Sequence, residues 1–175
     1  IGHVTATSGC IGCQRTLIVF KPNQGEAHAS AYATFDTRNT HLVLDFDATA
    51  DEFVMFSGVM PRSYAGGGVR VNIHYAMTTA TTGTVRWEVK WERIGDGAQD
   101  IDADGFAAAV GVNPTVPGTS GFLDIATITF THAQMDLVSG GEGFRIQVIR
   151  KATDTTNDTA AGDAELWAIE IQEAP

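Results

Sequence analysis

Alternation of apolar and charged side chains along residues 84–93 restricts the fold more than any other feature of this sequence. The two sets are Val85, Trp87, Val89 and Trp91 on one parity, and Arg86, Glu88, Lys90 and Glu92 on the other. Successive side chains of an extended strand point to opposite faces, so this segment is predicted to be a strand with one buried face and one solvated face. Residues 69–77 alternate similarly, and the Thr-Thr-Ala-Thr-Thr-Gly segment between the two strands is typical of a hairpin loop.

Further strand patterns run along most of the chain, separated by turn clusters rich in Gly, Pro, Asn and Asp. The remaining predicted strands are 15–20, 27–35, 41–47, 52–60, 121–130, 143–151 and 164–172. Roughly nine strands at this spacing favour an all-β fold, an antiparallel β-sandwich of jelly-roll or Greek-key topology. Because residues 53–60 are apolar on both faces, this strand is predicted to lie centrally in its sheet.

The length of the chain suits one domain of this type. A sequence of 175 residues can bury one substantial core, which we assign to residues 15–175. Residues 1–14 are predicted to be an N-terminal arm. Near the other end, the polar segment 153–163 has the composition of a mobile hairpin loop.

Two short helical connections are predicted within the strand pattern. Thr131 precedes Gln134 by three residues, the spacing at which a hydroxyl and an amide satisfy backbone N–H groups at a helix start. This helix is predicted to end after Val138, because Gly140 follows and glycine is common just past a helix C-terminus. The second predicted helix is the alanine-rich segment 104–110, which begins with a capping aspartate.

Charge and motif content argue against several classes of function. The formal net charge of -10 disfavours a nucleic-acid partner, because phosphate binding depends on Lys and Arg releasing condensed counterions. No apolar run reaches the roughly 20 residues of a membrane-spanning helix, so no membrane partner is expected. The five histidines are scattered, and the sequence has neither a Gly-x-Ser-x-Gly elbow nor a Walker-type phosphate loop.

The chain is therefore predicted not to be an enzyme, with no catalytic residues and no cofactor. A carboxylate pair for glycoside hydrolysis stays open at this point, since only the fold would bring two such side chains together.

Cys10 and Cys13 form a Cys-x-x-Cys pair in the predicted arm. A structural zinc site needs four ligands, and the sequence has no second cysteine pair. A redox motif is expected within a βαβ pattern, which this sequence does not show. The pair is therefore predicted to be two thiols or one disulfide, either local or between subunits.

Alternating aspartates form the candidate metal site of the sequence. Asp100, Asp102 and Asp104, followed by Gly105, match the first half of a calcium loop, in which alternating carboxylates converge on a hard cation. The twelfth position is Gly111, where a bidentate glutamate is expected, so the loop is incomplete. A solvated turn that caps the following helix is the favoured interpretation, and bound calcium is the alternative.

The tryptophan and tyrosine side chains have two possible roles, packing in the core or binding a sugar at the surface. Planar rings on a sandwich surface can stack on sugars, as in a carbohydrate-binding module. Trp87 and Trp91 share a face with two valines, so core packing is favoured for both. Trp167 shares parity with two later isoleucines and is also predicted to be buried. Tyr32 and Tyr64 are the predicted exposed aromatic contacts.

Seven segments spread along the chain carry a resemblance to a known family. These segments are His41-Leu-Val-Leu-Asp-Phe-Asp-Ala, Phe56-Ser-Gly-Val-Met-Pro-Arg-Ser-Tyr, Asp102-Ala-Asp-Gly-Phe-Ala-Ala-Ala, Ala133-Gln-Met-Asp, Gly143-Phe-Arg-Ile, Gly162-Asp-Ala-Glu-Leu and Ile169-Glu-Ile. Together they cover roughly residues 40–173 in order, which is more specific than any single motif. They resemble a family of small β-sandwich proteins encoded among the virion genes of tailed bacteriophages. The chain through Asn39 does not match that family.

The resemblance implies a structural, non-enzymatic role in a phage-like particle, as a capsid decoration protein or as a component of a tail fibre or spike. Such a subunit would form a homo-oligomer, with a homotrimer expected, and would contact a major capsid or tail protein of the virion. The arm is expected to add a strand to a neighbour's sheet edge. Two alternatives stay open: a carbohydrate-binding module that recognises a surface glycan, and a secreted subunit that forms filaments.

Overall fold

The computed structural model describes residues 15–175, which form ten strands in two antiparallel sheets. The strands are β1 (Thr16–Phe20), β2 (Thr34–Arg38), β3 (His41–Phe46), β4 (Glu52–Val59), β5 (Val69–Met77), β6 (Trp87–Ile94), β7 (Val110–Val112), β8 (Asp124–Phe130), β9 (Gly143–Arg150) and β10 (Ala164–Glu173). Two 3₁₀ helices, Pro22–Gln24 and His132–Met135, connect them. The predicted antiparallel β-sandwich is confirmed. Within this part of the chain, no helix has the length and apolar character that a bilayer span requires.

The two layers differ in size. The six-stranded sheet has the order β2-β3-β10-β5-β8, and β1 pairs with β10 beyond the end of β3. The four-stranded sheet has the order β4-β9-β6-β7. β10 and β5 are the central strands of the larger sheet, so side chains on their outward face lie in the middle of one broad surface of the molecule.

The core between the sheets contains the alternating residues that the sequence predicted. Trp87 and Trp91 of β6 are both fully buried. The Trp87 ring lies with its centroid 5.1 Å from that of Phe46 and 5.4 Å from that of Tyr75, both of which belong to the opposite sheet. Burial of rings of this size is the main favourable contribution to the stability of a sandwich.

The segment between β5 and β6 is not the predicted hairpin loop, because β5 lies in the six-stranded sheet and β6 in the four-stranded sheet. Residues 78–83 therefore cross from one layer to the other. Two alternating strands bury one face each whether they are neighbours in a sheet or face each other across a core. The pattern alone does not distinguish these arrangements.

β4 lies at an edge of the four-stranded sheet, and the prediction of a central position was wrong. Its free edge is covered by the preceding loop through backbone hydrogen bonds. Glu26 N donates to Met55 O at 2.8 Å, Met55 N donates to Glu26 O at 3.1 Å, and Phe53 N donates to Ala31 O at 3.0 Å. The His28 ring of the same loop lies edge-on to the Phe53 ring at a centroid separation of 4.6 Å, so the loop also shields part of the face of β4 that points away from the core.

Two local predictions were wrong and one was largely confirmed. The helix predicted at 104–110 is absent: residues 104–109 are not helical, and Val110 begins β7. The strand predicted at 27–35 begins only at Thr34, where pairing with β3 starts.

The predicted cap at Thr131 is present: its hydroxyl accepts from Gln134 N at 3.3 Å, and Gln134 Oε1 accepts from Thr131 N at 2.9 Å. That 3₁₀ helix ends earlier than predicted, because Asp136 is left-handed at φ 56°.

Candidate functional site

Trp167 lies on the outward face of the six-stranded sheet and is 38% exposed. The prediction that it is buried was wrong. The register between β10 and β5 shifts between Leu166 and Ala168, so Trp167 forms a bulge. An extra residue in one strand reverses the inward and outward parity beyond it. Leu166 and Ile169 are therefore both buried, and Trp167 between them is turned toward solvent.

The indole of Trp167 lines a cleft of about 440 Å³ on this outward face. We call it the Trp167 cleft. Its other lining residues are Arg38, Asn39, His41, Val43, Ala76, Gly121, Leu123 and Glu165. The lining combines one large planar ring and small apolar side chains with a few groups that can form hydrogen bonds. This composition is typical of sites that bind small polar molecules with apolar faces.

Arg38 and Glu165 form an ion pair at one end of the Trp167 cleft. Arg38 Nη1 also donates to Met77 O at 3.1 Å, which anchors the guanidinium to β5. Gly121 lies directly beside this group and has a φ of 78°. A Cβ at position 121 would lie 2.7 Å from Arg38 Nη2, so the guanidinium would have to shift, and the positive φ itself favours glycine.

Lys21 and His74 contact the Trp167 ring from two neighbouring elements. Lys21 Nζ lies 3.4 Å from the ring centroid, which is a cation–π contact. The His74 ring on β5 lies edge-on to the indole, with a centroid separation of 6.3 Å. These contacts hold the indole in one orientation, although more than a third of its surface is open to solvent.

A network of polar side chains continues from His74 across the outward face. Thr127 Oγ1 donates to Asn72 Oδ1 at 2.8 Å, and Asn72 Nδ2 donates to Glu170 Oε2 at 3.0 Å. Glu170 also accepts from the Thr16 hydroxyl. These donors, with the Thr16 hydroxyl first, lower the pKa of the Glu170 carboxyl. Burial lowers the pKa of His74, although Glu170 Oε2 lies 3.9 Å from its Nε2.

Asp45 of β3 lies in an acidic neighbourhood next to Glu165, its register partner on β10. Burial, followed by the charges of Asp163 and Glu165, raises the pKa of the Asp45 carboxyl to about 6. Its Oδ1 atom is buried and has no hydrogen-bond partner among residues 15–175. A carboxyl group in this setting exchanges its proton near neutral pH, where ordinary aspartates are fully ionised.

The candidate calcium residues lie together in an exposed turn. Asp102 N donates to Asp100 Oδ1 at 3.0 Å, and Asp104 N donates to Asp100 O at 2.8 Å. In the described part of the chain, no group of three or more His, Cys, Asp or Glu side chains is arranged to hold a metal ion. Calcium binding at Asp100, Asp102 and Asp104 stays a prediction. Cys10 and Cys13 lie outside the described residues, and so does the predicted arm.

The two tyrosines proposed as exposed contacts differ in their positions. Tyr32 is 45% exposed and lines a smaller cleft near Phe35. Tyr64 is only 7% exposed, so its predicted exposure was wrong. Its hydroxyl accepts from Gly68 N at 3.0 Å and donates to Met135 Sδ at 3.5 Å, which explains why this polar group can be buried.

Comparison with solved structures finds β-sandwich proteins at low sequence identity. The chain is similar to the CBM22-1 xylan-binding domain from Paenibacillus barcinonensis Xyn10C, with a TM-score of 0.51, 11% identity, and coverage of 93% of this chain and 97% of that chain. A carbohydrate-binding module, CBM36 in complex with calcium and xylotriose, gives a TM-score of 0.49 at 14% identity over 89% of this chain and 99% of that chain. A structure of infectious bursal disease virus, Gx strain, gives 0.37 at 10% identity over 91% of this chain and 33% of that chain.

These likenesses concern the fold. The sequence matches no protein-family model and no curated protein. The resemblance to phage virion proteins is confirmed only in the β-sandwich fold, and the phage family itself is not confirmed. A role in a particle has no support from the solved structures, and the trimer and the virion location stay predictions.

Proposed function

We propose that this protein is a non-catalytic carbohydrate-binding module and that the Trp167 cleft is its glycan site. The single observation that carries the proposal is the exposure of a large planar ring in the middle of a broad sheet face, where folding alone would favour burying it. The bulge at Leu166 and Ala168 turns that ring outward. Bulges are often found where a strand must redirect a side chain for function.

The lining of the cleft suits a sugar. The axial and ring C–H groups of a pyranose form an apolar face that packs on an indole, while its hydroxyl groups need donors and acceptors at the edge. Trp167 would supply the platform through the part of its ring that Lys21 does not cover, and Val43 and Leu123 would extend it with apolar surface. Asn39 and His41 would supply groups that can form hydrogen bonds with hydroxyls at the rim.

The preferred glycan is suggested by the fold likeness with the CBM22-1 structure, which is described as a xylan-binding domain. Xylo-oligosaccharides are therefore the first probes, and a glycan array extends the search to other sugars. A carbohydrate-binding module was one of the two alternatives that the sequence left open. We now favour it over a structural role in a phage-like particle.

The experiment compares the unmodified protein with Trp167→Ala and Phe35→Ala on a glycan array and by calorimetry. Phe35 is a matched control, because it is an aromatic residue that is 58% exposed. It lines a different cleft and does not line the Trp167 cleft. We expect Trp167→Ala to lose binding by at least about tenfold, the order expected for an aromatic anchor, and Phe35→Ala to keep it. Equal loss in both variants, or no retained glycan on the array, would overturn the proposal.

A further inference from the structure

The Lys21 ammonium is held over Trp167 by the turn that follows β1. Lys21 N donates to Gln24 Oε1 at 2.8 Å, and Gln24 N donates to Lys21 O at 2.9 Å. These two bonds close the turn around the 3₁₀ helix Pro22–Gln24 and fix the backbone from which the lysine side chain extends. The backbone that carries Lys21 is therefore ordered, and the cation–π contact places its ammonium at the indole before a ligand binds.

The charge of Lys21 has no acidic partner among the described residues. The other charged groups near Trp167 are already engaged: Arg38 pairs with Glu165, and Glu170 accepts from Thr16 and Asn72. Lys21 contacts the π face of Trp167, and no hydrogen bond of its ammonium to residues 15–175 is present. Its three N–H donors are thus free for a ligand that contacts the same ring.

We propose that Lys21 makes the Trp167 cleft selective for sugars that carry a negative charge, such as the carboxylate of a uronic acid. This inference rests on the proposed function. Lys21 lies over the Trp167 ring and is not one of the residues that line the cleft, so the anionic substituent would have to extend past the ring to reach the ammonium. Hydrogen bonds between two charged groups are roughly twice as strong as neutral ones, so the anionic sugar is favoured over its neutral form.

The acidic character of the whole chain does not prevent this preference. The net charge of -10 repels a polyanion at long range. At physiological ionic strength, however, charges beyond about 8 Å are screened, and the contact with Lys21 is much shorter than that. The selectivity is therefore a local property, and we expect it to weaken as salt is raised further, because the lysine is partly exposed.

The test uses one polysaccharide in two forms. Glucuronoxylan and its carboxyl-reduced form differ at one group of the side-chain sugar, which is a carboxylate in the first and an uncharged hydroxymethyl group in the second. Both are titrated by calorimetry into the unmodified protein, Lys21→Met, Lys21→Arg and Trp167→Ala. Methionine keeps the length of the lysine stem and removes its charge, while arginine keeps the charge.

We expect the unmodified protein to bind glucuronoxylan about tenfold more tightly than its reduced form, a difference that one charge-assisted contact can supply. Lys21→Met should remove this preference, so that the two forms bind with equal affinity, and Lys21→Arg should keep it. Equal affinity for the two forms, or a preference that persists in Lys21→Met, overturns the inference while leaving glycan binding intact. Failure of the unmodified protein to bind either polysaccharide overturns the xylan assignment and the inference together.

Discussion

Arg150 and Asp158 form a fully buried, bidentate ion pair, with Nε 3.1 Å from Oδ2 and Nη2 2.9 Å from Oδ1. The same guanidinium donates from Nη1 to Phe46 O at 3.1 Å, so one side chain of β9 in the four-stranded sheet is bonded to β3 of the opposite sheet. Asp158 Oδ2 also accepts from Arg86 N at 3.0 Å. The pair thus connects both layers with the loop that leads into β10.

Replacing Asp158 with asparagine should strongly destabilise the fold. The variant leaves the Arg150 guanidinium buried without a counter-charge, and removing one partner of such a pair costs about 3–5 kcal/mol of the free energy of unfolding. Urea unfolding followed by circular dichroism measures this. Asp96→Asn is the charge-matched control, because Asp96 is exposed. A loss below about 1 kcal/mol for Asp158→Asn would contradict the structural role of the pair.

Replacing Asp45 with asparagine should stabilise the protein at neutral pH. The pKa of Asp45 is raised from 3.8 to about 6 by burial and by neighbouring carboxylates. The folded state therefore binds this proton more tightly than the unfolded state, and stability falls as pH rises from about 4 to about 7. Asp45→Asn removes that loss, so we expect a gain of about 1–2 kcal/mol at pH 7.5 and little gain at pH 4. Denaturant titrations at the two pH values test this, and a gain of equal size at both would contradict it.

Replacing Gly121 with alanine should weaken glycan binding through Arg38. The new Cβ would lie 2.7 Å from Arg38 Nη2, and the φ of 78° is unfavourable for alanine. We expect displacement of the guanidinium, a several-fold loss of affinity, and about 1–2 kcal/mol lower stability. Gly118→Ala serves as the control, because no atom lies within 4 Å of a Cβ built there. Unchanged affinity in Gly121→Ala would show that Arg38 does not shape the site.

Truncation of two tryptophans should separate folding from binding. Trp91 is fully buried against Phe130 and Phe144, so Trp91→Ala is expected to cost about 3–5 kcal/mol of stability. Trp167→Ala removes a ring that is 38% exposed and should cost less stability than Trp91→Ala, while weakening glycan binding by at least about tenfold. Thermal unfolding and calorimetry on the same samples measure both effects. A Trp167→Ala protein as unstable as Trp91→Ala would show that this ring serves the fold.

The sequence predicted the layers of the fold because period-two alternation depends only on local geometry. Trp87 and Trp91 share one parity in an unbroken strand, and both are buried as expected. The position of each strand in its sheet depends on pairing between distant segments, which the alternation does not encode. For that reason the order β4-β9-β6-β7 and the crossing between β5 and β6 were missed.

The site was missed because it depends on a single irregularity. Parity with Ile169 and Ile171 predicts that Trp167 is buried, and the bulge between Leu166 and Ala168 breaks that parity. No glycine or proline marks the bulge in the sequence. Asp158 was missed for a related reason, since a polar loop composition gives no sign that one of its aspartates pairs with Arg150 in the interior. A tryptophan and an arginine in otherwise ordinary strands acquire their roles only from contacts with distant residues.

The most direct test of the account is an NMR titration of the ¹⁵N-labelled protein with the glycan that the array identifies. We expect the indole N–H of Trp167 and the backbone amides around His41, Ala76 and Leu123 to shift with one common affinity, while the indole signals of Trp87 and Trp91 stay unchanged. Shifts confined to the four-stranded sheet, or no shift at Trp167 under saturating glycan, would contradict the assignment of the outward face as the binding site.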